Sequence, residues 1–144
     1  MRYRLPQPYQ ELPHTADLGL STRGRSPEET LARLVLALAG LLSGGGGVAP
    51  GGEEVLLVRE GADLARTAVG VLREVLFRFA ARREIPWGCE VRSLAAGRAE
   101  LVVGFGPYRP ELHGEGRDVK AVTYHRARFE PDGGSWIAEV YLDV

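Results

Sequence analysis

Cysteine and lysine are nearly missing from this chain of 144 residues, with one of each. A lone Cys89 excludes an internal disulfide, leaves no thiolate set for zinc, and fits a reducing compartment. Set within an expected strand, it reads as a small buried apolar side chain rather than a nucleophile. Long apolar runs are absent too, and none nears the roughly 20 residues that span a bilayer. The start, Met1-Arg2-Tyr3-Arg4-Leu5-Pro6, lacks the apolar centre of a signal peptide. The expectation is a cytoplasmic protein that does not engage membranes. Neither sign of charge is in excess: the net charge of −1 argues against broad wrapping of nucleic acid, while leaving room for a local patch. The glycines at 44–47 are followed by no Lys-Ser or Lys-Thr, so a phosphate-binding loop is a poor reading. No serine lies in a Gly-x-Ser-x-Gly elbow, and a Ser-His-Asp triad has no local support.

Seventeen arginines accompany the single Lys120, a bias that a host favouring Arg, Gly, Ala and Leu codons explains. It is not the Lys- and Glu-rich signature of hyperthermophiles. Lys120 is either a site that needs a compact ammonium or a matter of chance, and the composition does not separate the two.

What is present is most distinctive at the end. Residues 135–144 alternate, with Trp136, Ala138, Val140, Leu142 and Val144 on one side and Ile137, Glu139, Tyr141 and Asp143 on the other. A strand that runs to Val144 holds the terminal carboxylate beside Asp143, and two such anions repel unless a cation or strong donor lies between them. A second clean alternation, residues 17–23, opens on Asp17 and turns Leu18, Leu20 and Thr22 inward. If these two strands are neighbours, Asp17, Asp143 and the Val144 carboxylate converge. Three hard oxygen donors without a His/Cys cluster suit Ca²⁺, or Mg²⁺, rather than zinc; solvated strand-end aspartates are the bland alternative.

Between these ends, residues 1–16 show no periodicity. Ser26-Pro27-Glu28-Glu29 marks a helix start, with Ser26 as N-cap and Glu29 closing a capping box. That helix carries Leu31, Leu34, Val35, Leu38, Leu41 and Leu42 on one stripe and ends near Ser43. A strand at 54–59 precedes a second helix capped by Asp63, whose arginines 66, 73, 78, 82 and 83 read as a solvated face before an RNA contact. Strands follow at 89–94, 99–105 and 119–129, the last forming a hairpin with the terminal strand around residues 131–134. The whole is one domain, 1–144, of α+β class: two layers, a mostly antiparallel sheet with both helices on one face. Pairing Phe129 with Trp136 would put Val122 opposite Asp143 and turn Lys120 to the carboxylates. His125 shares parity with Thr123, Ala121 and Phe129, and so is expected on the core side. His14 is open between a ligand, a donor to one, and an exposed side chain.

The motif His14-Thr15-Ala16-Asp17-Leu18-Gly19-Leu20 resembles the amino-terminal signature of the archease family. Lys120-Ala121-Val122-Thr123-Tyr124-His125 and the ending Val140-Tyr141-Leu142-Asp143-Val144 resemble its carboxy-terminal ones. Chain length, the Ser-Pro-Glu-Glu start and the Gly-Pro-Tyr…His113 stretch agree with it. The resemblance implies a strand-helix-strand-strand module and a non-enzymatic accessory protein of RNA processing. Its implied partner is an RtcB-type RNA-splicing ligase, whose guanylylation and multiple turnover it promotes in tRNA splicing. A tRNA cytosine methyltransferase is a further partner, and tRNA itself is met only indirectly. It also implies a calcium site on Asp17, Asp143 and Val144; on the reading of the residues themselves, His14, Lys120 and His125 are the candidates for supporting or partner contacts. A metal-dependent phosphohydrolase, with Asp17 and Asp143 on Mg²⁺ and His14 or His125 as acid/base, is the rival of another class. Two departures stand out: Pro13 where an acidic residue commonly precedes His14, and Arg109 where the family often has Asp.

Overall fold

In a computed structural model, residues 1–13, 17–45 and 47–144 are described, Pro13 by its backbone alone. Among them, eight strands form two four-stranded antiparallel sheets around the first helix. The elements in chain order are β1 (Arg2–Arg4), β2 (Gln10–Pro13), β3 (Leu18–Gly24), α1 (Pro27–Leu42), β4 (Glu53–Glu60), α2 (Leu64–Arg82), β5 (Glu84–Ala95), β6 (Arg98–Pro107), α3 (Pro110–His113), β7 (Ala121–Asp132) and β8 (Ser135–Asp143). One sheet runs β1-β5-β6-β4 and the other β2-β3-β8-β7.

The α+β class and the antiparallel pairing are as the sequence leads one to expect, but the strands divide into two sheets. The reason lies in α1. Its expected single stripe is wider: Leu36, Ala37 and Ala39 are buried along with Leu31, Leu34, Val35 and Leu38. A helix apolar all round needs cover on more than one side, and α1 packs on β5 of one sheet and on β3 and β8 of the other. α2 likewise touches β7 and β5, so one hydrophobic core is shared.

Helix starts are written locally. The Ser26 hydroxyl accepts from the Glu29 amide at 3.1 Å, and Asp63 accepts from the Arg66 amide at 2.8 Å. The return half of the capping box is displaced by one residue, because the Glu29 carboxylate takes the Arg25 amide instead of that of Ser26. Cys89 is buried in β5 with its thiol pushed up to about 12 by burial, which fits the structural role.

Two expectations fail in instructive ways. Residues 1–16 contain two short strands, β1 on β5 and β2 on β3; at three and four residues they are too brief for an alternation to register. The register of the last hairpin also differs. Gly133 and Gly134, both at positive φ, make a two-residue turn, so Pro131 stays in the ladder opposite Trp136 and Phe129 faces Ala138. β7 is an edge strand, where a proline is tolerated. Further on, four residues of β7, 124–127, stand opposite the single Val140. Three extra residues is an odd number, so the bulge exchanges the faces of β7 on either side of it.

Candidate functional site

β3 and β8 run antiparallel with Leu18 opposite Leu142, Leu20 opposite Val140 and Thr22 opposite Ala138. These pairs point into the core, as burial of the leucines, Val140 and Thr22 shows. One residue beyond the Leu18–Leu142 pair stand Asp17, which precedes β3, and Asp143, which ends β8 on the same face as Tyr141. Asp17 is half-buried with its Oδ1 shielded from solvent, and Asp143 and Val144 are exposed. On the other flank of β8, Ala121 lies opposite Asp143, and the Lys120 amide donates to the Asp143 carbonyl at 2.7 Å. Thr123 adds a hydroxyl bond to the Tyr141 carbonyl at 3.2 Å. The end of β8 is thus held from both sides, by β3 and by the start of β7.

Gly19 lets the outer face close over this end. A Cβ there would lie 2.7 Å from Leu12 Cβ and 2.8 Å from Tyr141 Cε1. Tyr141 therefore lies across β3, with the Arg126 guanidinium 5.9 Å from its ring. Neither Gly19 nor Tyr141 stood out in the sequence for this role; a glycine inside an otherwise alternating strand was the available signal.

Asp17 and Asp143 are hard oxygen donors flanking the Leu18–Leu142 pair, and Val144 follows Asp143. Such a set fits Ca²⁺ or Mg²⁺ in chemistry and charge. It is a set of two side chains plus a main-chain terminus: among the described residues no three His, Cys, Asp or Glu side chains gather as a metal cluster. His14 lies outside the described residues.

Two other expected neighbours are elsewhere. With Ala121 opposite Asp143, Lys120 falls on the opposite face, where it lines a groove with Leu76, Phe77 and Val122. The two-residue turn and the three-residue excess of the bulge offset the expected register by one position, enough to reverse a side chain. His125 is exposed within the bulge rather than on the core side, because the bulge breaks the parity that linked it to Phe129. His113 is buried, its Nδ1 accepting from the Arg109 amide at 3.0 Å, a bond that fixes the short α3 turn. No helix is long and apolar enough to cross a membrane among the described residues.

A model of the archease protein family matches residues 9–144. A protein archease of Methanopyrus kandleri is 34% identical over 140 residues, covering 95% of this chain and 99% of the relative. One of Methanosarcina mazei is 30% identical over 141 residues, covering 94% and 95%. Among solved structures, protein 1598 of Methanobacterium thermoautotrophicum superposes with a TM-score of 0.66 at 22% identity, over 94% of this chain and 98% of that one. An archease of Thermotoga maritima, described as a possible chaperone, gives 0.57 at 20% identity over 99% of each chain. These two likenesses bear on the fold.

Proposed function

Because the chain belongs to the archease family, we propose that it acts as an accessory protein of RNA processing, activating an RtcB-type RNA-splicing ligase in the cytoplasm through a divalent-cation site. The observation that supports the reading is the register of β3 on β8, with Leu18 opposite Leu142, from which Asp17 and Asp143 would meet as the residues flanking that pair. With the Val144 carboxylate they would hold Ca²⁺, the ion supplying a concentrated positive charge at an otherwise anionic sheet end. The chain's own contribution is rigidity. The Lys120 amide and Thr123 hydroxyl anchor the β8 end, and Tyr141 over Gly19 backs it. A rigid anionic site of this kind biases a metal-dependent partner toward one conformer, as an activator must.

Calcium calorimetry on wild type, Asp17→Asn, Asp143→Asn and a chain extended by Gly-Ser after Val144 tests the site. Each change should weaken binding about tenfold or more, since affinity follows ligand charge. Unchanged affinity in the extended chain removes Val144 from the ligand set, and unchanged affinity in all three removes the site. Pull-down and guanylylation assays with the ligase test the partner. The isolated protein should hydrolyse neither nucleotides nor phosphate esters. Turnover that both aspartate substitutions abolish would replace the accessory reading with the phosphohydrolase. The Thermotoga maritima relative's description as a possible chaperone favours a second reading, protection or specificity control of a tRNA methyltransferase. Co-purification with that enzyme and not with the ligase would select it.

A further inference from the structure

α2 buries Ala68, Val71, Leu72, Val75 and Leu76 and leaves its next stripe, Arg73, Phe77 and Ala80, in solvent. Beside that stripe runs the start of β7, and the two enclose a groove of about 330 Å³. Two large aromatics are exposed here: Phe77 lines the groove, and Tyr124 lies beside it against Arg73. Phe77 on the helix is 56% exposed, and Tyr124, the first residue of the bulge, is 46% exposed. Arg73 ties them together: it is one helical turn before Phe77, its guanidinium lies 4.1 Å from the Tyr124 ring centre, and its Nε donates to the Val122 carbonyl at 2.9 Å. Lys120 adds a second cation from the β7 side.

The cations of this groove differ from Arg66 and Arg78 of the same helix. Arg66 pairs with Asp63, and Arg78 with Glu74 and Glu84. Among the described residues neither Arg73 nor Lys120 has a carboxylate partner, and no acidic side chain lines the groove. The arginines of this helix therefore divide into Arg66 and Arg78, which are paired with acids, and Arg73, Arg82 and Arg83, which have no carboxylate partner among the described residues; of these Arg73 lines the groove. An extended peptide is a poor fit as an added strand, because the Arg73 side chain already occupies the Val122 carbonyl at the β7 edge. Uncompensated cations interleaved with exposed rings suit a ligand with negative charge along its length and flat apolar faces.

We propose that the groove between α2 and the start of β7 binds a short single-stranded segment of RNA. Phe77 and Tyr124 offer stacking faces to bases, and Arg73 and Lys120 contact phosphates. Arg73 also holds the Tyr124 ring, so stacking and charge are preset together. Since the Lys120 amide bonds to the Asp143 carbonyl, the groove opens at the carboxylate end of the sheet but on its other face. The inference stands apart from the ligase reading, because the purified protein binds an oligonucleotide or fails to with no ligase present.

Fluorescence anisotropy of a labelled uridine oligomer of about ten nucleotides, a length within the usual site range, is the test. Wild type should bind saturably at low salt and bind a duplex of equal length less well. Phe77→Ala and Tyr124→Ala should each weaken binding about 5- to 100-fold, the usual worth of one stacked base. Both side chains are exposed, and circular dichroism checks that folding is kept. Two phosphate contacts predict a slope of log affinity on log salt near −1.4, reduced by about 0.7 in Lys120→Gln. No saturable binding by wild type, or unaltered affinity in both folded aromatic variants, overturns the proposal. If those variants keep RNA binding but lose the ligase in pull-down, the groove is a protein contact and the proposal is equally overturned.

Discussion

The β3–β8 pair has a carboxylate at each of its ends, and the two ends treat it in opposite ways. At the Gly24 end, Glu29 of α1 is only 4% exposed and fully engaged. It accepts from the Tyr3 hydroxyl at 2.8 Å and the Arg25 amide at 2.8 Å, and it pairs with the Arg25 and Arg33 guanidiniums. The Arg25 amide bond above all, with the guanidinium and hydroxyl beside it, holds the Glu29 carboxyl down at about 2 against the opposing effect of burial. At the Leu142 end, Asp143 is exposed, and among the described residues its carboxylate has no cation partner. The side chain of Lys120, whose amide is bound there, turns to the other face. One end spends its carboxylate on tying β1, the β3–α1 turn and α1 together. The other presents the Asp143 carboxylate outward. A buried acid surrounded by donors is architecture, whereas an exposed acid with no cation partner among the described residues is available to something outside the chain.

Breaking the first end should therefore cost folding. Glu29→Ala strands the Arg25 amide and the Tyr3 hydroxyl and should destabilise by roughly 3 kcal/mol, the scale of a buried charged hydrogen-bond network. For a chain of this size that lowers the melting temperature by roughly 6–12 °C. Acid should expose the same interaction in wild type. Because the folded-state value is depressed, the Glu29 contribution is complete above pH about 4.5 and disappears as pH falls toward about 2. Urea midpoints of wild type and Glu29→Gln across that interval should converge at the acid limit. A constant gap down to pH 2 would show that the carboxylate's charge is not what ties this end.

Breaking the second end should cost calcium response and little else. Asp143→Asn should keep the apo melting temperature within about 2 °C, as expected of an exposed strand-end substitution. Calcium at about 100 times its dissociation constant should stabilise wild type by roughly 2.7 kcal/mol and the variant by distinctly less. Equal calcium-induced shifts in scanning calorimetry would erase the contrast between the two ends.

How much of this was legible in the sequence depended on whether the signal was local. The alternations of β3 and β8, the Ser26 and Asp63 caps and the Gly133-Gly134 turn all rest on neighbouring residues, and each led to the correct element. The pairing of the first long strand with the last, on which the expected meeting of Asp17 and Asp143 depends, is there. The bulge at 124–127 was invisible because Tyr124-His125-Arg126-Ala127 contains no glycine; Arg126 takes φ 60°, a conformation that normally advertises itself as Gly or Asn. With the bulge hidden, parity misplaced both His125 and Lys120. β1 and β2 were missed because each is ordered by its long partner strand and not by its own pattern.

A smaller effect should come from the glycine beneath Tyr141. In Gly19→Ala the new methyl meets Leu12 Cβ, an atom fixed to the backbone of β2, as well as the mobile Tyr141 ring. β2 must move, at a cost of about 1–2 kcal/mol. Calcium affinity should fall only as far as Tyr141 backs the β8 end, so a chemical denaturation curve that shifts while calorimetry changes less than about threefold is the expected pairing. No shift in denaturation would mean that the outer face is looser than this packing.

The smallest effect on the carboxylate end should belong to Lys120, the residue whose charge would matter most there if it faced it. Its amide holds the Asp143 carbonyl, and any residue except proline keeps that bond. Its ammonium lies in the α2 groove, on the face away from the Asp143 side chain. Lys120→Ala should therefore leave calcium affinity unchanged within about twofold and stability within about 0.5 kcal/mol, the usual range for a surface substitution. Lys120→Pro should lose the amide bond and loosen the end of β8, lowering calcium affinity with every carboxylate still present. The pair separates the main-chain role from the side-chain role at one position. A large gain or loss of calcium affinity in Lys120→Ala would show that the ammonium reaches the carboxylates, and that the bulge does not hold β7 in this register when the site is in use.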